Sequence, residues 1–159
     1  MPIDVQIRFA KTHEADAIGH LVVAMEQELW PDQTINEDAF LEGARQLLEN
    51  PSSGFWAMVA ENEANEIVGI LTLNECAAIY TAGTFGEIME IYILPELRSE
   101  GIGAQLITAA KDFGKTRGWP TLEVGAPARP KWQSTYDFYV REGFKEVGAR
   151  LALLLRDKD

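Results

Sequence analysis

The chain has a single cysteine, Cys76, and two histidines, His13 and His20. One cysteine excludes an internal disulfide, and this set supplies no zinc site. Cys76 reads as a small strand residue rather than a nucleophile, since no histidine lies near it in sequence. Long apolar runs are missing too. Stretches such as Leu21 to Met25 fall far short of the roughly 20 residues that cross a bilayer, and the start Met-Pro-Ile-Asp lacks a signal-peptide pattern, so a cytoplasmic location is expected. Basic residues are scarce, 14 Lys and Arg against 25 Asp and Glu, for a net charge of −11. That argues against a nucleic-acid binder, which needs a broad basic face.

What is present suits one folded domain spanning residues 1–159, with 47% apolar and 25% charged residues. The charge is unevenly placed. Residues 1–97 carry 3 basic and 17 acidic side chains, residues 98–131 carry 6 and 3, and residues 132–159 carry 5 of each. The first part is acidic, and the chain turns locally basic at Arg98.

Val5, Ile7 and Phe9 alternate with polar residues and predict an opening strand. Thr12 is then placed to cap a helix with Ala15, Ile18, Val22, Met25 and Leu29 on its inner face. Thr34-x-x-Glu37 has the form of a capping box before a second helix, with Phe40, Ala44, Leu47 and Leu48 inward and Asn50-Pro51 as its stop. Gly54 to Ala60 and Ile67 to Leu73 predict an antiparallel pair of strands. Glu87 to Leu94 alternates weakly, which predicts a strand covered on both faces and central in the sheet. Ile102, Leu106, Ala110 and Phe113 stripe a third helix, Thr121 to Val124 is a short strand, and Trp132 to Val140 is a fourth helix that Gly143 can end in a left-handed conformation. Phe144 to Leu155 reads as one or two closing strands. The layout is an α/β sheet, mostly antiparallel early, with helices packed on it.

One stretch carries chemistry. From Ile93 to Gly103 the chain leaves the buried strand and enters a helix whose first turn holds Arg98, Gly101 and Gly103. A helix start presents free N–H groups and partial positive charge, and two glycines spaced by one residue let an anion approach the main chain. The stretch reads as an anion cradle, which a phosphate, nucleotide or sulfate would fit equally.

Arg98-x-x-Gly101-x-Gly103 resembles the acetyl-CoA-binding signature of the GNAT superfamily of N-acetyltransferases. Phe138-Tyr139-Val140-Arg141-Glu142-Gly143-Phe144 is similar to that family's second signature, an aromatic pair followed by Gly-Phe. The likeness is specific over about residues 87–144. It implies an α/β (α+β) GNAT-like fold, a central mixed, largely antiparallel sheet of about six to seven strands with about four helices packed on it.

The resemblance also implies roles. Acetyl-CoA would be the co-substrate, with no metal. The cofactor-binding set is Ile91, Tyr92 and Ile93, whose main chain would pair with the pantetheine arm like an added strand, and Arg98, Ser99, Glu100, Gly101, Ile102, Gly103 and Ala104, whose N–H groups would hold the pyrophosphate. Tyr139 matches the tyrosine that donates a proton to the departing CoA thiolate, with Tyr136 as its competitor and Phe138 as packing. Glu90, next to the pantetheine segment and on the same strand face as Tyr92, is the candidate base, and Glu87 and Glu75 stand behind it. In the family an Asn commonly precedes the tyrosine by seven residues; here that position is Trp132, with Lys131 and Gln133 beside it. Trp30, Phe40, Tyr80 and Phe85 could wall an acceptor site, though each reads first as packing.

The function expected is acetyl transfer to a primary amine of a small cationic, polyamine-like metabolite by direct attack in a ternary complex. A protein amino-terminal or lysine acetyltransferase and a non-catalytic CoA-binding module are the alternatives. A homodimer is a further expectation; a nucleic-acid or membrane partner is not.

Overall fold

In the computed structural model, which describes residues 3–156, the strand-forming runs pair into one sheet in chain order. The strands are β1 (Val5–Phe9), β2 (Phe55–Asn62), β3 (Ile67–Ala78), β4 (Gly83–Ile93) and β5 (Leu122–Val124). The first three junctions are antiparallel and β4–β5 is parallel. A parallel neighbour requires a crossover, and α3 (Ile102–Arg117) supplies it. The chain divides by its contacts into two units, residues 1–124, which contain this sheet, and residues 125–159.

The two faces of the sheet are covered by different helices, as strand alternation requires. Ala57, Val59, Ile70 and Tyr92 form one core with Ile18 of α1 (Ala15–Leu29), and Leu48 of α2 (Glu37–Leu48) packs against it. On the opposite face Trp56 meets Phe113 of α3 at 5.0 Å, and Phe113 also meets Phe9 and Trp119. Gly86 is required here, because a Cβ at that position would lie 2.3 Å from two atoms of the Trp119 ring.

A β-bulge interrupts the β3–β4 ladder. Thr72 pairs with Glu90 but Leu73 pairs with Ile88, so Met89 is the extra residue. Side chains that pair across a ladder share a face. Phe85, Glu87, Glu90 and Tyr92 therefore point to the α1 side, while Gly86, Ile88, Ile91 and Ile93 point to the α3 side.

Several details differ from the sequence reading. Thr12 does not cap α1; it opens a short 3-10 turn, and the acceptor at that start is Glu14 Oε1, which takes the Lys11 N–H at 2.7 Å. The cap of α2 is Asn36, whose side chain accepts the Ala39 N–H at 3.2 Å, two residues beyond Thr34. β4 lies fourth of five strands, so β3 and not β4 is the middle strand. The sheet of the described residues has five strands rather than six or seven, because Phe144 to Leu155 forms none.

The second unit is built on α4 (Gln133–Arg141). Gly143 ends it at φ +104°, and the Phe144 N–H returns to the Tyr139 carbonyl at 3.0 Å. Arg129 stacks over the Tyr136 ring at 4.1 Å, and both side chains bond Glu146. After Phe144, Val147, Leu151, Leu153, Leu154 and Leu155 are 61–92% exposed. A β-prone pattern becomes a strand only where a neighbour takes its ladder bonds, and among the described residues this segment is not a strand.

Candidate active site

β4 has an occupied side and an open side. Along its β3 side it is paired from Gly83 to Ile93, but β5 pairs with it only at Gly86, Glu87 and Ile88. The Glu90 N–H bonds Thr72 and the Leu94 N–H bonds the Val68 carbonyl, so the N–H groups of Glu90, Tyr92 and Leu94 face β3. Alternation then turns the main-chain groups of Ile91 and Ile93 to the side where β4 has no strand partner. Of the three residues expected to present their main chain, Ile91 and Ile93 turn theirs to this side, the Ile93 carbonyl being taken there by Arg98 Nε at 3.0 Å, and Tyr92 is turned toward β3.

This open edge leads into the cradle. Pro95–Leu97 is a 3-10 turn, Ser99 has φ +68° and Gly101 has φ +86°. The first hydrogen bond of α3 runs from the Gln105 N–H to the Gly101 carbonyl at 3.2 Å. The N–H groups of Ile102, Gly103 and Ala104 precede it and have no carbonyl within the helix to bond. A Cβ on Gly101 would meet nothing within 4 Å, so the space over this turn is open. These features fit an elongated ligand with a strand-like arm and an anionic end.

Arg98 does something other than reach over the cradle. Its guanidinium holds both carboxylate oxygens of Glu28 on α1 at 2.5 and 2.7 Å, its Nε donates to the Ile93 carbonyl at 3.0 Å, and it lies 5.3 Å from the centre of the Tyr92 ring. The pairing holds the Glu28 carboxyl below its usual range. The Arg98 N–H closes on the Pro95 carbonyl at 3.4 Å. Both its side chain and its N–H are thus engaged in shaping the loop.

Glu90 lies on the α1 side of β4 with Tyr92, as alternation predicts. Thr72 Oγ1 donates to Glu90 Oε1 and accepts the Glu90 N–H at 3.0 Å. Burial pushes the Glu90 carboxyl up, the Thr72 hydrogen bond opposes that, and the carboxylate of Glu26 on α1 adds to it. Burial likewise raises Glu26. On the same face, Glu87 Oε2 lies 3.6 Å from Cys76 Sγ, and Glu123 of β5, which pairs with Glu87, accepts from Tyr80 Oη at 3.0 Å. Burial raises the Cys76 thiol further from ionisation, in keeping with a small strand residue.

Glu75 is not part of this face. It points to the α3 side, where Arg117 and Trp119 Nε1 hold its carboxylate at 2.6–3.1 Å. Of the aromatic residues considered for an acceptor wall, Trp30 is 51% and Tyr80 76% exposed, so neither is core packing, whereas Phe85 is buried. Thr72, Glu26 and Glu123 were missed by the sequence reading. A lone threonine inside Val68 to Leu73 was the one signal for the first; nothing separated the other two from surface carboxylates.

Tyr139 stands on α4 in the second unit, 6% exposed, with its ring 5.6 Å from Phe138 and 5.8 Å from Phe144. Burial pushes its hydroxyl up to about 12, so it keeps its proton through neutral pH. Trp132 occupies the residue before α4 and contributes no side-chain cap; Lys131 Nζ lies 5.4 Å from its ring.

Comparison with known proteins identifies the family and the fold. Residues 16–144 match the acetyltransferase (GNAT) family. An aminoalkylphosphonate N-acetyltransferase of Salmonella typhimurium is 27% identical over 155 residues, which cover 98% of this chain and 94% of that protein. Among solved structures, a ribosomal-protein-alanine N-acetyltransferase from Brucella melitensis superposes with a TM-score of 0.75 at 22% identity, covering 96% of this chain and 99% of that one. An aminoglycoside 6'-N-acetyltransferase from Acinetobacter baumannii gives 0.70 at 19% identity, covering 98% and 100%. At such identities the two structures establish likeness of fold alone.

Proposed function

The chain belongs to the GNAT family of acetyltransferases, and from that premise we infer that it moves the acetyl group of acetyl-CoA to a primary amine of a small cationic metabolite. One observation carries the reading: the open edge of β4 at Ile91 and Ile93 runs directly from a half-buried carboxylate, Glu90, to the unpaired N–H groups of α3. Acetyl-CoA, when bound, supplies the activated thioester. Ile91 and Ile93 would hold its pantetheine arm, and Ile102, Gly103 and Ala104 its pyrophosphate.

The acceptor arrives as an ammonium and must lose a proton before it can attack. Glu90 attracts the ammonium and accepts that proton, and its raised pKa brings it nearer to the neutral range where a base works best. Glu26, Glu87 and Glu123 share its face, which supports a cationic acceptor. The Tyr139 hydroxyl, protonated well above neutral pH, supplies a hydrogen bond or proton to the leaving sulfur.

A second reading of the acceptor comes from the Salmonella relative: an aminoalkylphosphonate, which offers the same ammonium beside an anion. Thiol release from acetyl-CoA, measured against linear polyamines, 2-aminoethylphosphonate, acidic amino acids and amino-terminal peptides, separates these. Turnover greatest on polyamines supports the first reading, and turnover greatest on the phosphonate replaces it with the second. Activity confined to peptides or to acidic amino acids overturns both.

A further inference from the structure

We propose that Thr72 is a positioning residue for the acetyl transfer, its buried hydroxyl fixing one carboxylate oxygen of Glu90 so that the other is presented to the acceptor ammonium. The inference rests on the reading of Glu90 as the base.

Aromatic residues aside, Thr72 is the one polar side chain buried in the core of the described residues, 1% exposed, between Leu71 and Leu73, which are fully buried. An apolar residue of the same shape would fill this position without needing a partner, so the hydroxyl calls for an explanation. Its hydrogen-bond inventory gives one. A threonine hydroxyl has one proton and two lone pairs. The Glu90 N–H occupies a lone pair at 3.0 Å, and the proton goes to Glu90 Oε1. Both bonds therefore go to the same residue, one to its main chain and one to its carboxylate.

The bulge at Met89 makes this possible. It brings Thr72 and Glu90 opposite each other on the α1 side and sends the Glu90 N–H to a side chain. With Oε1 held from the β3 side, Oε2 is the oxygen left for the acceptor. A donated hydrogen bond also favours the charged carboxylate, the form that accepts a proton. Among the described residues the charged group acting on Glu90 is Glu26 from α1, and β3 contributes the neutral Thr72 itself. Glu26 stays in place in every variant below.

The experiment is the pH dependence of kcat, with the best amine of the panel, for the wild type, Thr72→Ser, Thr72→Val and Glu90→Gln. Ionisation of Glu90 switches the base on, so activity rises with pH through its pKa. Thr72→Val removes the favourable bond, so the acid limb moves up by about one pH unit and kcat at neutral pH falls about tenfold, with the KM for acetyl-CoA unchanged. Thr72→Ser keeps the hydroxyl and restores both. A Thr72→Val enzyme with the wild-type acid limb and kcat overturns the proposal while leaving the base reading intact, provided Glu90→Gln is impaired. A fully active Glu90→Gln enzyme overturns the base reading and this inference with it. Should Thr72→Val not fold, Thr72→Ala is subject to the same two outcomes, with circular dichroism and acetyl-CoA affinity confirming its fold.

Discussion

Two glycines bracket α3, and they allow strain to be separated from binding. Gly101 at its start has φ +86° and Gly118 at its end φ +78°, and a Cβ on either would meet nothing within 4 Å. Valine at either position must adopt a left-handed conformation, which costs about 1–2 kcal/mol. For a chain of this length each kcal/mol lowers Tm by about 2–4 °C, so Gly101→Val and Gly118→Val are both expected to melt a few degrees below the wild type. Binding is where they part. In Gly101→Val the added methyls would fill part of the open space at the turn that leads to the N–H groups of Ile102 to Ala104, and each charge-assisted bond lost to an anion is worth about 1.5–3 kcal/mol. Losing even one raises Kd for acetyl-CoA at least about tenfold, whereas Gly118→Val leaves it unchanged. Calorimetric titration with acetyl-CoA, alongside thermal melts, reads both quantities. Equal affinity in the two variants would refute the cradle.

Three further outcomes are expected. Gly86→Ala forces a Cβ against the buried Trp119 ring and should destabilise the protein by about 1–3 kcal/mol; a melting temperature equal to that of the wild type would show that the ring yields freely. Arg8 holds Glu14 at 2.8 Å and lowers its pKa to about 2. That stability is present above the ordinary carboxyl value and is lost as pH falls from about 4.5 toward about 2. Glu14→Gln should therefore flatten the acid side of the profile of unfolding free energy against pH, read by urea unfolding, by about 1–2 kcal/mol, and an unchanged slope would contradict the pairing. Tyr139→Phe should lower kcat about 10²-fold with little change in Tm, and full turnover would remove the acid role. Since the Tyr139 hydroxyl loses its proton only near pH 12, an alkaline limb below about pH 10 must come from another group.

Elements whose pattern is purely local were legible in the sequence. β2, α3 and the first part of β3, as far as Leu73, announce themselves by alternation or a helical stripe, while β3 runs on to Ala78 beyond that pattern, and the candidate cradle shows by residue types whose backbone freedom is needed at the position where they occur. Glu90 stands out in the sequence as a candidate only because it sits beside that stretch. The bulge was not, since one extra residue leaves an apolar run looking like any other; simple alternation through Ile88 would place it on the same face as Glu90, and the ladder places it on the opposite one. Glu75 and Glu87 are equivalent by composition and were separated only by the sheet, which gives one to Arg117 and Trp119 and the other to the α1 side. The Asn36 cap displaced Thr34 because several capping residues occur within three positions and only the backbone path selects among them. The closing segment failed for the opposite reason: its pattern is strong, but a strand is a property of two chains of residues, and the pattern describes one.

The extra residue at Met89 also sets rules for altering this protein. It divides β4 into two stretches with opposite numbering parity: before it the α1 side is reached from odd positions, 85 and 87, and after it from even positions, 90 and 92. Of these, Phe85 and Tyr92 are buried, so substitutions on the α1 side that spare the core fall at 87 and 90, whereas a bulky or charged replacement at 86, 88 or 91 would turn to the α3 side. Deleting a single residue at 89 would invert one half of the strand relative to the other. An alignment that slides by one through this region would for the same reason move the carboxylate of Glu90 off the α1 side, either to the α3 side at 91 or to the bulge at 89.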